Sequence, residues 1–182
     1  TLGGSATVSS KNVNTYTSFT TNSLTSSNSN YVVTGGTVSV SITQATLTYT
    51  ADASSKTYGD ANPTFTGSVS GFVGTDNLGN ATTGSASWST TATQYSSVGS
   101  YPITGSGLTA NNGNYTFVQA AGNATAFTIN ARSVNFTGTK VYDGNATFSA
   151  SQLVAGNTVN SDVVTLGGSA TVSSKNVNTY TS

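Results

Sequence analysis

The first and last eighteen residues of this chain are identical. The segment "TLGGSATVSSKNVNTYTS" occupies residues 1–18 and occurs again at residues 165–182, an offset of 164 residues. Eighteen matching positions are too many for chance, and an old duplication would have left differences. We therefore expect the sequence to be a window, slightly longer than one period, on a nearly perfect tandem array. A period of this length has the size of one or two whole domains, so the array should be a string of domains.

The 164-residue period itself contains two related modules. "KTYGDANPTF" at residues 56–65 parallels "KVYDGNATF" at residues 140–148, because both have Lys-x-Tyr, then Gly and Asp in either order, then Thr-Phe. Further matching strings follow in circular order. They divide the chain into a complete module A (residues 46–131) and a split module B. The N-terminal half of module B is residues 132–182, and its C-terminal half is residues 1–45.

Both modules are predicted to be all-β. Val, Thr, Tyr and Phe favour strands, turn pairs such as Gly35-Gly36 and Asn112-Gly113 recur, and no window shows a helical period. We expect elongated tandem modules of a small β-sandwich-like type, Ig-like or similar, with six to eight strands each and essentially no helix. The expected core is Tyr58, Phe65, Trp88, Tyr101, Tyr115 and Phe127 in module A, and Tyr142, Phe148, Val8, Tyr16, Tyr31 and Ile42 in module B.

The apolar positions change parity at each boundary between modules. One change lies between "VSVSI" at residues 38–42 and "TLTY" at residues 46–49, and the other lies between "FTI" at residues 127–129 and "SVNF" at residues 133–136. One extra residue turns every following side chain to the opposite face of a sheet. We therefore expect the last strand of each module to pass directly into the first strand of the next, which predicts short, stiff joints and an extended rod.

The composition excludes several kinds of site. His, Cys, Glu and Met are absent, and five Asp balance four Lys and one Arg. Without His and Cys the chain has no Ser-His-Asp or Cys-His nucleophile, no disulfide and no Cys-ligated metal. A basic surface for nucleic acid is missing, and no apolar run reaches the length of a membrane helix. We expect no enzyme activity, no cofactor, no nucleic acid partner and no membrane insertion of this segment.

The two modules resemble known families. "KTYGDANPTFTG…VGSYPITGSGL…GNYTF…FTINA" in module A resembles the MBG domain, a mostly β, glycine-rich repeat. "KVYDGNATFSAS…NSDVVTLGGSATVSSKNV…NYVV…VSIT" in module B is similar to the YDG domain, which often alternates with it. The resemblance implies a large secreted bacterial surface protein of the filamentous-haemagglutinin-like adhesin type and carries no catalytic residues. The motif residues form a structural signature: Lys56, Tyr58, Gly59, Asp60, Lys140, Tyr142, Asp143 and Gly144.

The sequence also holds candidates for bound ions and covalent links. Carboxylate oxygens suit Ca²⁺, but the candidate carboxylates are scattered singly: Asp60, Asp76, Asp143 and Asp162. A Lys–Asn isopeptide bond at Lys56 or Lys140 needs a buried lysine with an asparagine and a carboxylate beside it. The simpler interpretation is a surface lysine beside a turn. Five Asn-x-Thr sequons are possible glycan acceptors: Asn80, Asn114, Asn123, Asn135 and Asn145.

These features favour a structural stalk or fibre repeat of a secreted adhesin at the bacterial cell surface, which extends a distal binding region. The alternative is a repeat that itself binds glycans or like copies on neighbouring cells, in adhesion or in a biofilm matrix. The expected partners are adjacent identical repeats. The split module also predicts head-to-tail self-association, in which residues 132–182 pair with residues 1–45 of another copy. Completion of module B in cis or in trans stays open.

Overall fold

The computed structural model of this chain describes residues 1–34 and 36–181, and the side chains of residues 36–38 are not described. The predicted turn at Gly35-Gly36 therefore lies partly outside the described residues. The described part holds seventeen strands, one four-residue helix and three short 3₁₀ segments. This confirms the all-β prediction. No helix in this part is long and apolar enough to span a bilayer.

The elements follow one another along the chain as short strands. In chain order they are β1 (Leu2–Gly3), β2 (Ala6–Thr7), β3 (Asn14–Thr21), β4 (Thr25–Ser26), β5 (Gly36–Ile42), β6 (Ala45–Ala51), β7 (Ser54–Thr57), β8 (Gly67–Ser70), α1 (Leu78–Ala81), β9 (Thr82–Ser89), β10 (Gly99–Tyr101), β11 (Thr104–Ala110), β12 (Tyr115–Gln119), β13 (Phe127–Asn130), β14 (Phe136–Gly138), β15 (Thr147–Ser149), β16 (Leu153–Ala155) and β17 (Ser169–Thr171). The 3₁₀ segments are Asn111–Gly113, Ala121–Thr125 and Ala150–Gln152.

The chain divides into two compact units. Unit 1 consists of residues 1–54, 64–91 and 100–127, and unit 2 consists of residues 55–63, 92–99 and 128–182. The units do not follow the sequence modules. Module A contributes to both, and the two halves of module B lie one in each unit.

Most sheets are antiparallel and have two or three strands. In unit 1 the orders are β1-β4, β2-β3-β5, β12-β6-β8 and β9-β11, and only the β12–β6 pair is parallel among the pairs described there. In unit 2, β14 pairs with β16 and β15 pairs with β17. A further sheet has the order β10-β13-β7.

The core of unit 1 is built on β6. Alternate residues of this strand, Leu47 and Tyr49, are buried, as expected for a strand with one face on a core. Leu47 packs with Ala81 and Tyr115, and partly buried side chains including Phe72 surround this cluster. Only two residues separate β5 from β6. The predicted direct passage from one module to the next is therefore present at this boundary.

The second boundary differs from the prediction. Residues 131–135 lie outside any strand and separate β13 from β14. In this interval Arg132 Nε donates a hydrogen bond to the carbonyl oxygen of Tyr58, 2.7 Å away. The alternation of apolar residues could not reveal this contact with a distant part of the chain.

The core predicted for module A is correct for Tyr115 and Phe127, which are buried, and the other four members are half-buried: Tyr58, Phe65, Trp88 and Tyr101. Completely buried Leu47, Ile103 and Ile129 were missing from that prediction, which followed aromatic matches. In module B, Tyr16 is buried, and Val8, Ile42 and Phe148 are half-buried.

Two members of the predicted module B core are wrong. Tyr31 is 69% exposed and Tyr142 is 56% exposed. The two halves of module B lie in different units, so these rings do not belong to the one core that the prediction assigned to them. A core prediction that treats the halves as one assembled module therefore overstates their burial.

Candidate functional sites at the lysine turns and the module joints

The side chain of Lys56, the signature lysine of module A, binds the turn that follows β7. The turn after β7 is fixed by a hydrogen bond from Asp60 N–H to the Thr57 carbonyl oxygen, and Gly59 has φ +87. The Lys56 ammonium group donates to the carbonyl oxygens of Asp60 (3.0 Å), Thr93 (2.8 Å) and Gln94 (3.0 Å). Lys56 is only 8% exposed, so the expectation of a surface lysine is wrong here.

The surroundings of Lys56 combine two opposing effects on its charge. Burial lowers the pKa of Lys56 from its ordinary value, and the nearby charge of Asp60 partly offsets this effect. The Gln94 side chain reinforces the same contact, since its Nε2 donates to the Gly59 carbonyl oxygen at 2.7 Å. The lysine thus supplies donors to one main-chain carbonyl group of this turn and to two of residues 93–94, which is a structural use of the ammonium group.

The equivalent lysine of module B has similar partners. The Lys140 Nζ donates to Asp143 Oδ1 (2.8 Å), to the Asn145 carbonyl oxygen (2.9 Å) and side-chain Oδ1 (2.8 Å), and to the Thr147 carbonyl oxygen (2.8 Å). It also lies 5.3 Å from the centre of the Phe148 ring. The turn at Gly144 has φ +83. In both modules the signature lysine therefore binds oxygen atoms of the turn that follows it, and Lys56 also binds the carbonyl oxygens of Thr93 and Gln94.

The Lys140 cluster contains the three groups of an isopeptide site but has the wrong protonation. The hydrogen bond from Lys140 is the main cause that lowers the pKa of the Asp143 carboxyl below its ordinary value of 3.8, and the hydrogen bond from the Asn145 N–H is the second. This carboxyl is consequently ionised at neutral pH and does not hold the proton that the leaving ammonia needs. The geometry supports an ion pair and turn closure, and the isopeptide hypothesis gains nothing from it.

The remaining signature residues of module A form a joint with module B inside unit 2. A hydrogen bond with the Asp162 carboxylate raises the pKa of Tyr58. Asp60 forms an ion pair with Arg132, whose Nε also binds the Tyr58 carbonyl oxygen. A Cβ atom on Gly59 would lie 2.5 Å from Val159 Cγ2, so only glycine permits this approach. Each residue of Tyr58-Gly59-Asp60 thus contacts the module that follows.

A second joint lies inside unit 1, between residues 1–45 and module A. Asn114 Oδ1 accepts the Val13 N–H at 2.8 Å, and Asn114 Nδ2 donates to Asn12 Oδ1 at 3.0 Å. The carbonyl oxygen of Asn114 accepts the Ala45 N–H at 3.0 Å. One asparagine side chain and its main chain therefore connect two separate segments of the preceding half-module.

The four calcium candidates each have a different partner. Asp60 pairs with Arg132 and Asp143 with Lys140, as described above. Asp76, in unit 1, accepts the Tyr115 hydroxyl at 2.8 Å and lies 3.5 Å from Lys11 Nζ. Asp162 binds the Tyr58 hydroxyl. Across residues 1–34 and 36–181, no group of three acidic side chains comes together as a metal site.

Of the sequon asparagines, Asn123 has a structural role that the sequence did not indicate. It is 4% exposed, its Oδ1 accepts the Ala51 N–H at 2.8 Å, and its Nδ2 donates to the Tyr49 carbonyl oxygen at 3.0 Å and to Gln119 Oε1 at 2.9 Å. Burial leaves this side chain unsuited to carry a glycan. Sequence reasoning also missed Gln94 and Arg132, and it identified Asn114 only as a sequon.

Trp88 packs within unit 1 and does not form an open platform. Its ring meets Tyr49 edge to face, with centroids 5.7 Å apart. It also covers two glycines, since a Cβ atom on Gly67 would lie 2.5 Å from Trp88 Cζ2 and one on Gly105 would lie 2.7 Å from Trp88 Cζ3. The match between Trp88 and Val8 in the internal repeat was the signal for this packing role.

Comparison with known proteins found two family models that match. Residues 47–125 are similar to the MBG domain (YGX type), and Tyr58-Gly59 lies in this range. Residues 124–182 are similar to the YDG domain. Searches among curated proteins and among solved structures found no match.

Proposed function

We propose, from the premise that this chain carries an MBG domain of the YGX type and a YDG domain, that it is a repeat of a surface protein with a purely structural role. In this proposal it is a segment of a stalk or fibre of a secreted bacterial adhesin. The segment works outside the cell and holds a distal binding region away from the surface. It performs no catalytic step and needs no cofactor.

The observation that carries this proposal is the use of the family signature at a joint. Tyr58, Gly59 and Asp60 contact Asp162, Val159 and Arg132 of the following module. A signature that served a ligand would direct its polar groups to a shared open site, whereas these groups bind the neighbouring module. Modules that are hydrogen-bonded to each other in this way keep their spacing, which is the property that a stalk requires.

The second joint supports the same proposal. Asn114 binds Val13, Asn12 and Ala45, and the passage from β5 to β6 leaves only two residues between strands. Gly/Ser-rich linkers would let successive domains move independently. Such a linker would weaken a stalk, and the contacts at this joint replace it.

The balance of charge also suits an extracellular fibre. Five positive and five negative side chains give zero net charge over 182 residues. Long-range repulsion between successive repeats is therefore small and changes little with ionic strength. Hydroxyl and amide groups supply the polar surface in place of charge.

The test compares the 182-residue chain with tandem arrays of two and four 164-residue periods. A stalk repeat is expected to give a radius of gyration that rises nearly in proportion to the number of periods, because joined modules do not fold back on each other. A matched array with a flexible Gly-Ser linker at each boundary should rise with roughly the square root of that number. If the natural and the linker arrays scale alike, the stalk proposal is wrong.

A glycan array with the same 182-residue chain separates the alternative function. Reproducible binding to one glycan class would favour a repeat that itself recognises sugars. The stalk proposal predicts no glycan binding, either by the 182-residue chain or by the tandem arrays.

A further inference from the structure

One strand occurs at the same place in both copies of the repeated eighteen-residue segment, as β2 and as β17, and it pairs with different partners. In the N-terminal copy, β2 pairs with β3. In the C-terminal copy, β17 pairs with β15. Residues 5–7 and 169–171 occupy the same places in the repeated sequence. The same strand sequence therefore has two neighbours within one chain.

The hydrogen bonds around β17 show which main-chain groups face β15. The Val172 N–H donates to the Ala146 carbonyl oxygen at 3.0 Å, and the Ala150 N–H donates to the Gly168 carbonyl oxygen at 3.1 Å. Alternate residues of a strand direct their main-chain groups to opposite edges. Positions of even number in this segment consequently face β15, and positions of odd number face the other edge.

The N-terminal copy uses that other edge. The Ser5 carbonyl oxygen accepts the Asn22 N–H at 3.1 Å, and Thr7 follows in register with β3. Ser5 and Thr7 correspond to Ser169 and Thr171, whose main-chain groups face away from β15. The two partners of the repeated strand therefore occupy opposite edges, and one strand can hold both without a clash or a shift of register.

The geometry points to self-association of this chain by strand exchange, in which β17 of one copy takes the place of β2 beside β3 of a second copy. The result is a four-stranded antiparallel sheet in the order β15-β17-β3-β5. The incoming strand keeps its own pairing with β15 and gains the pairing with β3. Because β17 and β2 have the same sequence, the second copy accepts it with unchanged register, as in β-strand addition to a sheet edge.

The side chains shared by the two copies differ in exposure. Tyr16 is 8% exposed, whereas its counterpart Tyr180 is half-buried. Val13 is half-buried, whereas its counterpart Val177 is 89% exposed. Tyr16 lies on β3 opposite Val40 of β5, whereas residues 178–181 lie outside any strand. The C-terminal copy is therefore less covered than the N-terminal copy, which leaves β17 accessible to a second copy.

The association is head to tail. Each copy offers the outer edge of β17 and accepts at β3, so the contact is heterologous and continues into filaments or closes into a ring. This inference deepens the structural role proposed above but rests on main-chain pairing alone. If strand exchange does not occur, the predicted radius of gyration of the tandem arrays is unaffected. If the tandem arrays do not scale as predicted, strand exchange can still occur.

The first test makes the same substitution at the equivalent position of each copy, in two separate variants. Thr171→Pro removes an N–H from the outer edge of β17 and leaves the pairing with β15 in place. It should weaken association, measured by sedimentation over a range of concentrations, by about tenfold or more. Thr7→Pro removes the matching N–H from β2 and opens β3 to the incoming strand. It should strengthen association.

Simple loss of folding would move both variants in the same direction. Hydrogen exchange at Val172 checks that β15–β17 persists in Thr171→Pro, and Thr165→Pro, in an exposed stretch outside the strands, is the matched control with unchanged association. A wild-type chain that stays monomeric at every concentration, or equal effects of Thr7→Pro and Thr171→Pro, overturns the inference.

The second test uses the absence of cysteine from the chain. Ala6 lies opposite Thr21, so Ala170 of an exchanged strand takes the position opposite Thr21 of the second copy. Single-cysteine chains Ala170→Cys and Thr21→Cys, mixed and oxidised, should form the mixed disulfide. Val154→Cys, at an exposed position of β16, should not couple to Thr21→Cys beyond background. Equal yields for the two mixtures contradict strand exchange.

Discussion

Buried polar side chains close the turns of this chain at the scale of single residues. Lys56 and Asn123 are buried, and each binds several main-chain groups. The repeated Lys-x-Tyr pattern indicated that Lys56 matters to the turn, but its burial depends on residues 93 and 94, far along the chain. The sequence indicated Asn123 only as a sequon. No neighbouring residue shows that its side chain binds the main chain of residues 49 and 51.

Replacement of Lys56 by methionine tests the role of the ammonium donors. Lys56→Met keeps the length of the side chain but leaves three carbonyl oxygens without this donor. We expect a loss of about 1–3 kcal/mol in the free energy of unfolding, measured with urea. Lys175→Met, at an exposed lysine, is the control and should change stability little. Equal stability of the two variants would show that the carbonyl contacts do not contribute.

Asn123→Ala removes three hydrogen bonds from a buried position. Because the Ala51 N–H loses its acceptor and the Tyr49 carbonyl oxygen keeps only the Ala120 N–H as donor, we expect a loss of about 2–4 kcal/mol in the free energy of unfolding. Asn30→Ala, at an exposed residue, should stay near the wild-type value. A thermal midpoint of Asn123→Ala equal to that of Asn30→Ala would contradict the role assigned to Asn123.

The ion pair of Asp143 predicts a dependence of stability on pH. Its folded pKa is lower than the ordinary 3.8 because Lys140 donates to the carboxylate. A lowered folded pKa means that the contribution is present above 3.8 and is lost as the pH falls through the lowered value. Asp143→Asn should therefore be less stable than wild type near neutral pH, and this difference in stability should shrink as the pH falls below 3.8. In the Lys140→Met background this difference should shrink, and its persistence there would contradict the assignment.

At the scale of the strands, the periodicity of the sequence predicted the all-β fold class but only part of the strand arrangement. Alternation placed Leu47 and Tyr49 on one face of β6, as the structure shows. It could not show that β12 lies parallel to β6, since pairing direction depends on contacts between distant segments. It also placed Tyr31 and Tyr142 in one core, although both are exposed and they lie in different units.

A glycine-dependent bulge in β11 gives a test at this scale. The pairing of β9 and β11 shifts register between Ser106 and Leu108, where Gly107 has φ +92. A Cβ atom on Gly107 would lie 2.2 Å from the Ser85 carbonyl oxygen. Gly107→Ala should therefore lower the free energy of unfolding by about 1–3 kcal/mol. Gly122→Ala, where a Cβ meets nothing within 4 Å, is the control, and equal thermal midpoints would contradict this account.

The joints between modules belong to the scale of the whole molecule. The sequence predicted modules joined without slack, and the passage from β5 to β6 agrees. The contacts that hold each joint involve residues without a local signal, such as Arg132 and Asn114. These side chains bind groups of the neighbouring module, so only the tertiary structure shows their roles.

Asn114→Ala tests the joint in unit 1. The change removes the acceptor of the Val13 N–H, so hydrogen exchange at Val13 should become faster by about tenfold or more. Gln44→Ala, which removes a different hydrogen bond of this joint, to the Gly113 carbonyl oxygen, should leave exchange at Val13 unchanged. Unchanged exchange at Val13 in Asn114→Ala would contradict the proposed joint.

The repeated segment separates what the sequence determined from what the tertiary structure decided. In both copies the tyrosine hydroxyl binds a carbonyl oxygen four residues earlier, Tyr16 to Asn12 and Tyr180 to Asn176. Hydrogen bonds between near neighbours have a small entropic cost of closure, so the local sequence fixes them in any context. The strand partner differs between the copies because a strand offers two equivalent edges of main-chain groups. Which edge is used depends on the distant segment that folds beside it, and no eighteen-residue sequence contains that choice.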